Sequence, residues 1–509
     1  MDFLDSLKEN MNSGYTENGS KAYLSTKNNL LDLFAKMGAW RHRVEIEVDS
    51  KGQIIFNNDE PFKILLKSYL TAPKETLCSL MYLRDIRGGL GERKLFRLFL
   101  IYLYLKRDDK QDLLDKTLNS LFDIGRYDDI IFILYQLHLA GIKKEIFYNK
   151  IKTQFFKELN GKSSISLLAK WLPSENTSNK QTVLMARFVR EKILEIDSKT
   201  YRKALSKLRA EIKLIENNLR ERDYSFNYSQ IPSLAMAKYN KAFKRNDEDR
   251  YSKYLQDVQE GKAKINTQVL TPFDIIRKIQ VENNEVEALN TMWDNLPNLF
   301  GEDSIDAIVA CDVSGSMSGN PICVSIGLAI YIAQRNKGRF HNHFIDFCGN
   351  SRLHELPDNA SIKELYDLVR SSSRDMNTNI ESVMVNAILE TLIKNKIPKE
   401  ECPKYVIIIS DMEFDMCGKG KKTNIEYWKK KYQVRGYDMP TVIFWNVDDR
   451  NNIFPATLDE KVILISGYSQ NSIKALLKVL NDKMSIENIS LQIVSEAIKP
   501  YEIYLEKEI

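Results

Sequence analysis

The chain has 509 residues, 43% of them hydrophobic and 28% charged, with a net charge of +5. That length should hold more than one domain, and the composition is that of an ordinary soluble protein. No apolar run approaches the roughly 20 residues of a membrane-spanning helix, and the start, Met1-Asp2-Phe3-Leu4-Asp5, is acidic and amphipathic, unlike a signal peptide.

The charge is unevenly spread. Residues 1–300 carry 49 Lys and Arg against 40 Asp and Glu, and residues 301–509 carry 25 against 29. The excess lies in residues 151–250, with 21 basic and 12 acidic side chains. A local excess of one sign concentrates an oppositely charged partner, although a solvated helical face explains it equally simply. Cys78, Cys311, Cys323, Cys348, Cys402 and Cys417 include no C-x-x-C pair, so buried free thiols in a reducing, intracellular compartment are expected. His341-x-His343 has no third ligand in sight, which favours a structural or solvent-facing pair over zinc.

Residues 1 to about 300 read as helices. Candidates are Pro61 to Leu70, Thr76 to Arg84, Glu92 to Leu105, Tyr127 to Leu139, Glu145 to Glu158, Ser166 to Leu172 and Gln181 to Glu191. Short connections imply antiparallel pairs stacked into an irregular, HEAT-like array. Between the second and third helices, Arg84 to Lys94 combines four cations with three glycines. Glycine lets a ligand approach the backbone, and the helix N-terminus that follows favours an anion. The alternative is a turn in which Arg84, Arg87 and Arg93 pair with Asp85 and Glu92. Asp123 to Asp129 reads as a turn with an acidic N-cap. A helix ends at Pro173, and a long basic one follows over Tyr201 to Arg222, its seam formed by Tyr201, Leu205, Leu208, Ile212, Ile215 and Leu219. After Ile231-Pro232-Ser233, cations and aromatics interleave over Leu234 to Arg245. Lys and Arg neutralise phosphates and Tyr or Phe stack on unpaired bases, unless the aromatics are core and the cations rim.

From about residue 303 strand-like runs alternate with helices: Ala307–Ala310, Phe340–Phe347, Tyr405–Ser410, Thr441–Trp445 and Val462–Ile465. This alternation predicts a mostly parallel sheet covered on both faces. Phe414 to Arg435, with Gly418-Lys419-Gly420-Lys421-Lys422 near its start, reads as an exposed loop or insertion. Ser469 to Met484 is a final helix. The expected division is therefore 1–300 helical, 301–485 α/β, and 486–509 a C-terminal segment packing on the helical domain.

The first strand ends in Asp312-Val313-Ser314-Gly315-Ser316, and Tyr405–Ser410 ends in Asp411. Ligands in open α/β sheets bind at such carboxyl ends, and one carboxylate with two hydroxyls suits a hard cation. The serines would otherwise cap the next helix. This pattern resembles the metal-ion-dependent adhesion site of a von Willebrand factor A domain, a Rossmann-like fold. The resemblance implies Mg²⁺ or Mn²⁺ contacted by Ser314, Ser316 and Thr378, with Asp312 and Asp411 acting partly through water. Met376 and Asn377 stand where that family often has glycine before the threonine.

The two halves together resemble the Ro ribonucleoprotein (TROVE) family, a HEAT-like ring joined to an A domain. The carrying stretches are Leu83 to Lys94, Gly125 to Asp129, Ala169 to Asn176 and Ile231 to Met236. The resemblance implies RNA binding, in ribonucleoprotein assembly or RNA quality control. The candidate contacts are Arg84, Arg87, Arg93, Lys170, Arg202, Lys238, Lys241, Lys244 and Arg245. The alternative is a scaffold that captures a partner's acidic residue through the ion. No membrane or small-molecule partner is expected, nor catalysis, although Glu413 and Asp415 near Asp411 keep a metal-dependent nuclease open.

Overall fold

The computed structural model describes residues 11–41, 43–57, 59–107, 110–212, 215–281, 286–301, 305–373, 378–417, 423–458, 462–481 and 488–509. His42, Met376, Asn377 and the Gly418–Lys422 run lie outside the described residues. In chain order the strands are β1 (Ser13–Tyr15), β2 (Lys21–Tyr23), β3 (Glu47–Val48), β4 (Ile54–Ile55), β5 (Ala307–Cys311), β6 (His343–Asp346), β7 (Leu353–Glu355), β8 (Tyr405–Ser410), β9 (Thr441–Asn446) and β10 (Val462–Ser466). The chain forms two compact units. A sheet unit comprises Met1–Arg43 and Asn227–Ala497, and a helical unit comprises Val44–Phe226 and Ile498–Ile509.

The sheet unit is built on six strands in the order β10-β9-β8-β5-β6-β7, parallel throughout except for the antiparallel edge strand β7. Continuous runs such as Ile-Val-Ala in β5 and Val-Ile-Ile-Ile in β8 are buried along their length, as expected of strands covered on both faces. The strand order reverses direction at β5, whose neighbours are β6 and β8. Such a switch point opens a crevice outside the carboxyl ends of the two flanking strands. The apolar helix Asn320–Arg335 packs on β5, β6 and β8. Asn29–Met37 packs on β10, where Gly38 would bring a Cβ within 2.6 Å of the Gly467 backbone.

The expected boundary at residue 300 is not where the compact units divide. Pro272–Val281 lies against Asn320–Arg335, with Gly327 leaving a Cβ only 3.0 Å from the Pro272 backbone. Trp293 Nε1 donates to Gln334 Oε1 at 2.8 Å, and Gln470 Nε2 to the Leu270 carbonyl at 3.1 Å. These helices have apolar faces that the rest of the sheet unit buries. Likewise only the end of the 486–509 segment joins the helical unit. There Glu502–Glu506 packs on the Pro73–Arg84 and Gln111–Ile124 helices, and Tyr501 donates to Asp85 at 3.0 Å.

In the helical unit, Pro73–Arg84 packs on Gln111–Ile124, and Lys94–Lys106 on Tyr127–Leu139. Lys94–Lys106 is apolar nearly all round and correspondingly buried. The expected long helix over Tyr201 to Arg222 is two pieces, Ser198–Glu211 and Ile215–Glu221, because Ile212 turns to extended backbone. The apolar spacing continues past Ile212, so periodicity could not reveal the break. The expected loop after Phe414 contains the helix Asn424–Val434, started by a capping box of Thr423 and Glu426 that the sequence displays. All six cysteines are buried and free. Among the described residues no helix is long and apolar enough to cross a membrane.

Candidate functional site

At the switch point β5 delivers Asp312 and β8 delivers Ser410 and Asp411. Asp312 is fully buried. Its Oδ1 accepts the Ser314 N–H at 2.9 Å, and its Oδ2 accepts the Ser410 hydroxyl at 2.7 Å. Ser314 does not cap a helix with its side chain. It lies before the short turn Gly315–Met317, and the next helix starts at Gly319-Asn320-Pro321. The Ser314 and Ser316 hydroxyls instead hydrogen-bond to each other, their oxygens 3.0 Å apart. Adjacent oxygens around an octahedral Mg²⁺ with bonds of about 2.1 Å stand about 3 Å apart, so this pair fits two such positions.

Asp411 is also buried. Glu413 N–H donates to its Oδ1 at 3.2 Å, closing a turn in which Met412 takes a left-handed φ of 67°. That conformation costs a non-glycine residue about 1 kcal/mol and persists only where surroundings impose it. Arg450, in the loop after β9, donates from Nη2 to Asp411 Oδ2 at 2.7 Å. Burial, and then the neighbouring Asp411 charge, push the Asp312 carboxyl up to about 6. Burial also raises Glu413. A cation at the serine pair would offset the charge that burial disfavours at Asp312, and the donor set of hard oxygens fits Mg²⁺ or Mn²⁺.

Thr378 belongs to the adjoining part of the network. Its hydroxyl lies 3.1 Å from the Glu413 carbonyl and 3.0 Å from Asp415 Oδ1, and accepts from Asn18 Nδ2 at 2.8 Å. The five residues expected at the ion are thus joined through Ser410 and Glu413, but the Thr378 hydroxyl is engaged by Asp415, Glu413 and Asn18. Asn18 comes from the β1–β2 hairpin, which no sequence pattern had tied to this site. Among the described residues no group of three or more His, Cys, Asp or Glu is arranged to hold a metal. His341 and His343 make local contacts to the Asn336 and His341 carbonyls, as a structural pair would.

The expected RNA contacts separate into three kinds. Arg84 is a correction: it is 3% exposed and forks onto Asp129 Oδ2 at 2.9 and 2.6 Å, so no phosphate reaches it. Its glycine-rich neighbourhood is a helix cap. Leu90 and Glu92 N–H groups return to the Tyr82 and Leu83 carbonyls at 3.0 and 2.8 Å. Arg93 is half-exposed and pairs with Asp128 at 3.2 Å. Lys170 lies over the Trp171 ring, 5.5 Å from its centroid, and is half-buried, as is Lys244. Arg87, Arg202, Lys238, Lys241 and Arg245 are exposed. The last three follow each other at helical spacing on Ser233–Asn246, in the sheet unit rather than the helical one. Of the two aromatics interleaved there, Phe243 is buried against Tyr228 and Tyr251 and belongs to the core, while Tyr239 is half-buried.

The basic helix expected from Tyr201 carries a continuous cationic face, of which only Arg202 was a candidate contact. Helix Ser198–Glu211 buries Tyr201, Ala204, Leu205 and Leu208 and leaves Lys199, Arg202, Lys203 and Lys207 exposed. Their i, i+3, i+4, i+8 spacing was available as a signal. Arg209 on the same helix caps Leu168–Trp171 instead, donating to the Ala169 and Leu172 carbonyls at 2.8 and 2.6 Å. Arg450 was missed because its run, Asp448-Asp449-Arg450, reads as a solvated loop. In the fold each member is paired: Asp449 with Lys36 at 2.8 Å and Trp40 at 2.7 Å, and Asp448 with Arg43.

Residues 306–503 match a family model described as a domain of unknown function, DUF7788, and residues 145–298 match a second, DUF2828. The chain is 27% identical over 507 residues to uncharacterized protein L728 of Acanthamoeba polyphaga mimivirus, covering 92% of this chain and 85% of that protein. Among solved structures it is a distant match to the RO (RSR) protein of Deinococcus radiodurans. The TM-score is 0.47 at 11% identity, over 93% of this chain and all of that one.

Proposed function

We propose that the chain is a non-enzymatic, intracellular RNA-binding protein acting in ribonucleoprotein assembly or RNA quality control. In this reading the helical unit is a HEAT-like array and the sheet unit a von Willebrand factor A-like domain. The observation that carries it is the exposed cationic face of Ser198–Glu211, whose four outward cations are held on a rigid helix by a buried seam. Cations so fixed neutralise phosphates without base readout, so binding is salt-dependent and tolerant of sequence. Arg87 and Arg93 add to it in the same unit.

The test is binding of labelled RNAs to the full chain at two salt concentrations, with and without Mg²⁺. Affinity should fall steeply with salt and not require Mg²⁺. Replacing Lys199, Arg202 and Lys203 together by alanine should reduce the log–log salt slope by about 2, at roughly 0.7 per lost single-strand phosphate contact. Absence of binding at low salt would reject the reading.

A second reading is favoured by the paired hydroxyls and buried carboxylates at the switch point: capture of a partner's acidic side chain. Mg²⁺ or Mn²⁺, held by Ser314 and Ser316 with Asp312 and Asp411 through water, would supply an open coordination position. Saturating Mg²⁺ should raise the melting temperature of the native chain by a few degrees, since a hundredfold excess over Kd contributes about 2.7 kcal/mol. Asp312→Asn should not respond. An equal rise in both proteins would place any bound ion elsewhere.

A further inference from the structure

The tip of the β1–β2 hairpin is bound to the loops that carry Asp411 and Thr378. Glu17 N–H donates to Glu413 Oε2 at 2.7 Å, and Thr16 Oγ1 to the Phe414 carbonyl at 2.8 Å. Asn18 Nδ2 reaches both Thr378 Oγ1 and the Glu413 carbonyl at 2.8 Å. The Glu17 carboxylate stands 3.3 Å from Arg450 Nη1, while the other arm of the same guanidinium holds Asp411. Arg450 therefore carries one carboxylate from the body of the site and one from the hairpin.

We propose that this hairpin tip is a built-in ligand, and that the site's partner is an acidic turn of another protein whose carboxylate takes the place of Glu17 on Arg450. The inference rests on the reading of this site as one that captures a partner's carboxylate, and it places the receptor at Arg450 instead of at the ion. The two ends of the hairpin are held differently. Its base is fixed where Tyr23 and Phe454 exchange backbone hydrogen bonds of 2.9 and 2.7 Å. At the tip the Glu17 side chain is 46% exposed, and ion pairs of that kind are weak and exchange readily. Strands of three residues have little stability of their own, so the tip is held by its contacts to the site, a Gly19–Asp415 bridge among them, and weakening those contacts loosens the tip while the Tyr23–Phe454 base stays in place. The tethered carboxylate acts at high effective concentration and shuts out weak or non-acidic ligands. The hairpin also shows the chemistry of what replaces it: a carboxylate to meet Arg450, followed by a side-chain amide to meet Thr378 and the Glu413 carbonyl.

The test uses the full chain and, as probe, a fluorescent peptide of residues 11–26, measured by anisotropy in magnesium-containing buffer. The double variant Glu17→Gln/Asn18→Ala weakens the tethered tip and should bind the peptide at least tenfold more tightly than the native chain. A probe carrying Glu17→Gln should lose that gain. Adding Arg450→Gln to the double variant should abolish it, and Arg450→Lys should restore part of it. Equal affinity of native and double-variant chains for the probe would overturn the built-in ligand and leave carboxylate capture standing. No binding to either chain would likewise overturn the built-in ligand, and carboxylate capture itself falls only if the Mg²⁺-dependent rise in melting temperature is absent. Gain without dependence on the probe's carboxylate would reject Arg450 as the receptor.

Discussion

Replacing Asp129 by alanine should destabilise the helical unit by about 3–5 kcal/mol, the range for breaking a buried ion pair from one side. Asp129 is inaccessible to solvent and accepts from Arg84 Nε and Nη2, from Arg97 Nε at 2.5 Å, and from the Arg126 N–H at 3.0 Å. The last contact starts the helix Tyr127–Leu139. Its loss leaves Arg84 buried beside other cations without its carboxylate partner, and removes the N3 side chain that satisfies the N–H of the N-cap residue Arg126. The measurement is urea unfolding, with the midpoint falling at unchanged slope. Arg84→Met combined with Asp129→Leu should cost less than Asp129→Ala alone, because the buried Arg84 charge leaves with its partner and Arg97 keeps Asp128 at 2.8 Å. A single-variant loss below about 1 kcal/mol would show that the network has little weight.

Gly89→Ala should be nearly as severe. A Cβ at Gly89 would lie 1.9 Å from the Tyr82 carbonyl oxygen, a backbone atom that itself accepts the Leu90 N–H. The loop cannot give way without releasing the carbonyls it caps, so a loss of about 3 kcal/mol is expected, at the upper end of overpacking effects. Gly88→Ala is the control. There the nearest atoms are side-chain oxygens of Asp85 and Tyr501 at 3.0 and 3.3 Å, which can shift, and the loss should stay below about 1 kcal/mol. Equal losses at both positions would mean that backbone freedom, not the close approach, governs the loop.

Both variants lie in two of the four stretches on which the Ro-like resemblance rests, Leu83 to Lys94 and Gly125 to Asp129. Their physical role is local: a glycine loop that closes one helix and an aspartate that starts another while neutralising arginines. Arginines beside glycines suggested an anion site because sequence shows which cations are near one another, not which are buried. Asp129 is 45 residues from Arg84, and the helices between them had to pack before the pair could be seen.

The sequence by itself determined the elements whose signals are local. Buried strands appear as unbroken apolar runs, so β5, β8, β9 and β10 were legible, as was the placement of Asp312 and Asp411 at strand ends. The Ser198–Glu211 face was equally readable from its spacing. Tertiary structure alone decided what each charge meets. The short strands of the N-terminal hairpin bury too little to leave a pattern, yet folding brings Glu17 and Asn18 to a site some 400 residues away in the chain. It also decided that helices 233–294 join the sheet unit, because an amphipathic face records that it must be buried and not against what. Desolvation and pairing depend on three-dimensional neighbours, so the roles of Arg84, Arg450 and Thr378 could be assigned only after the chain had folded.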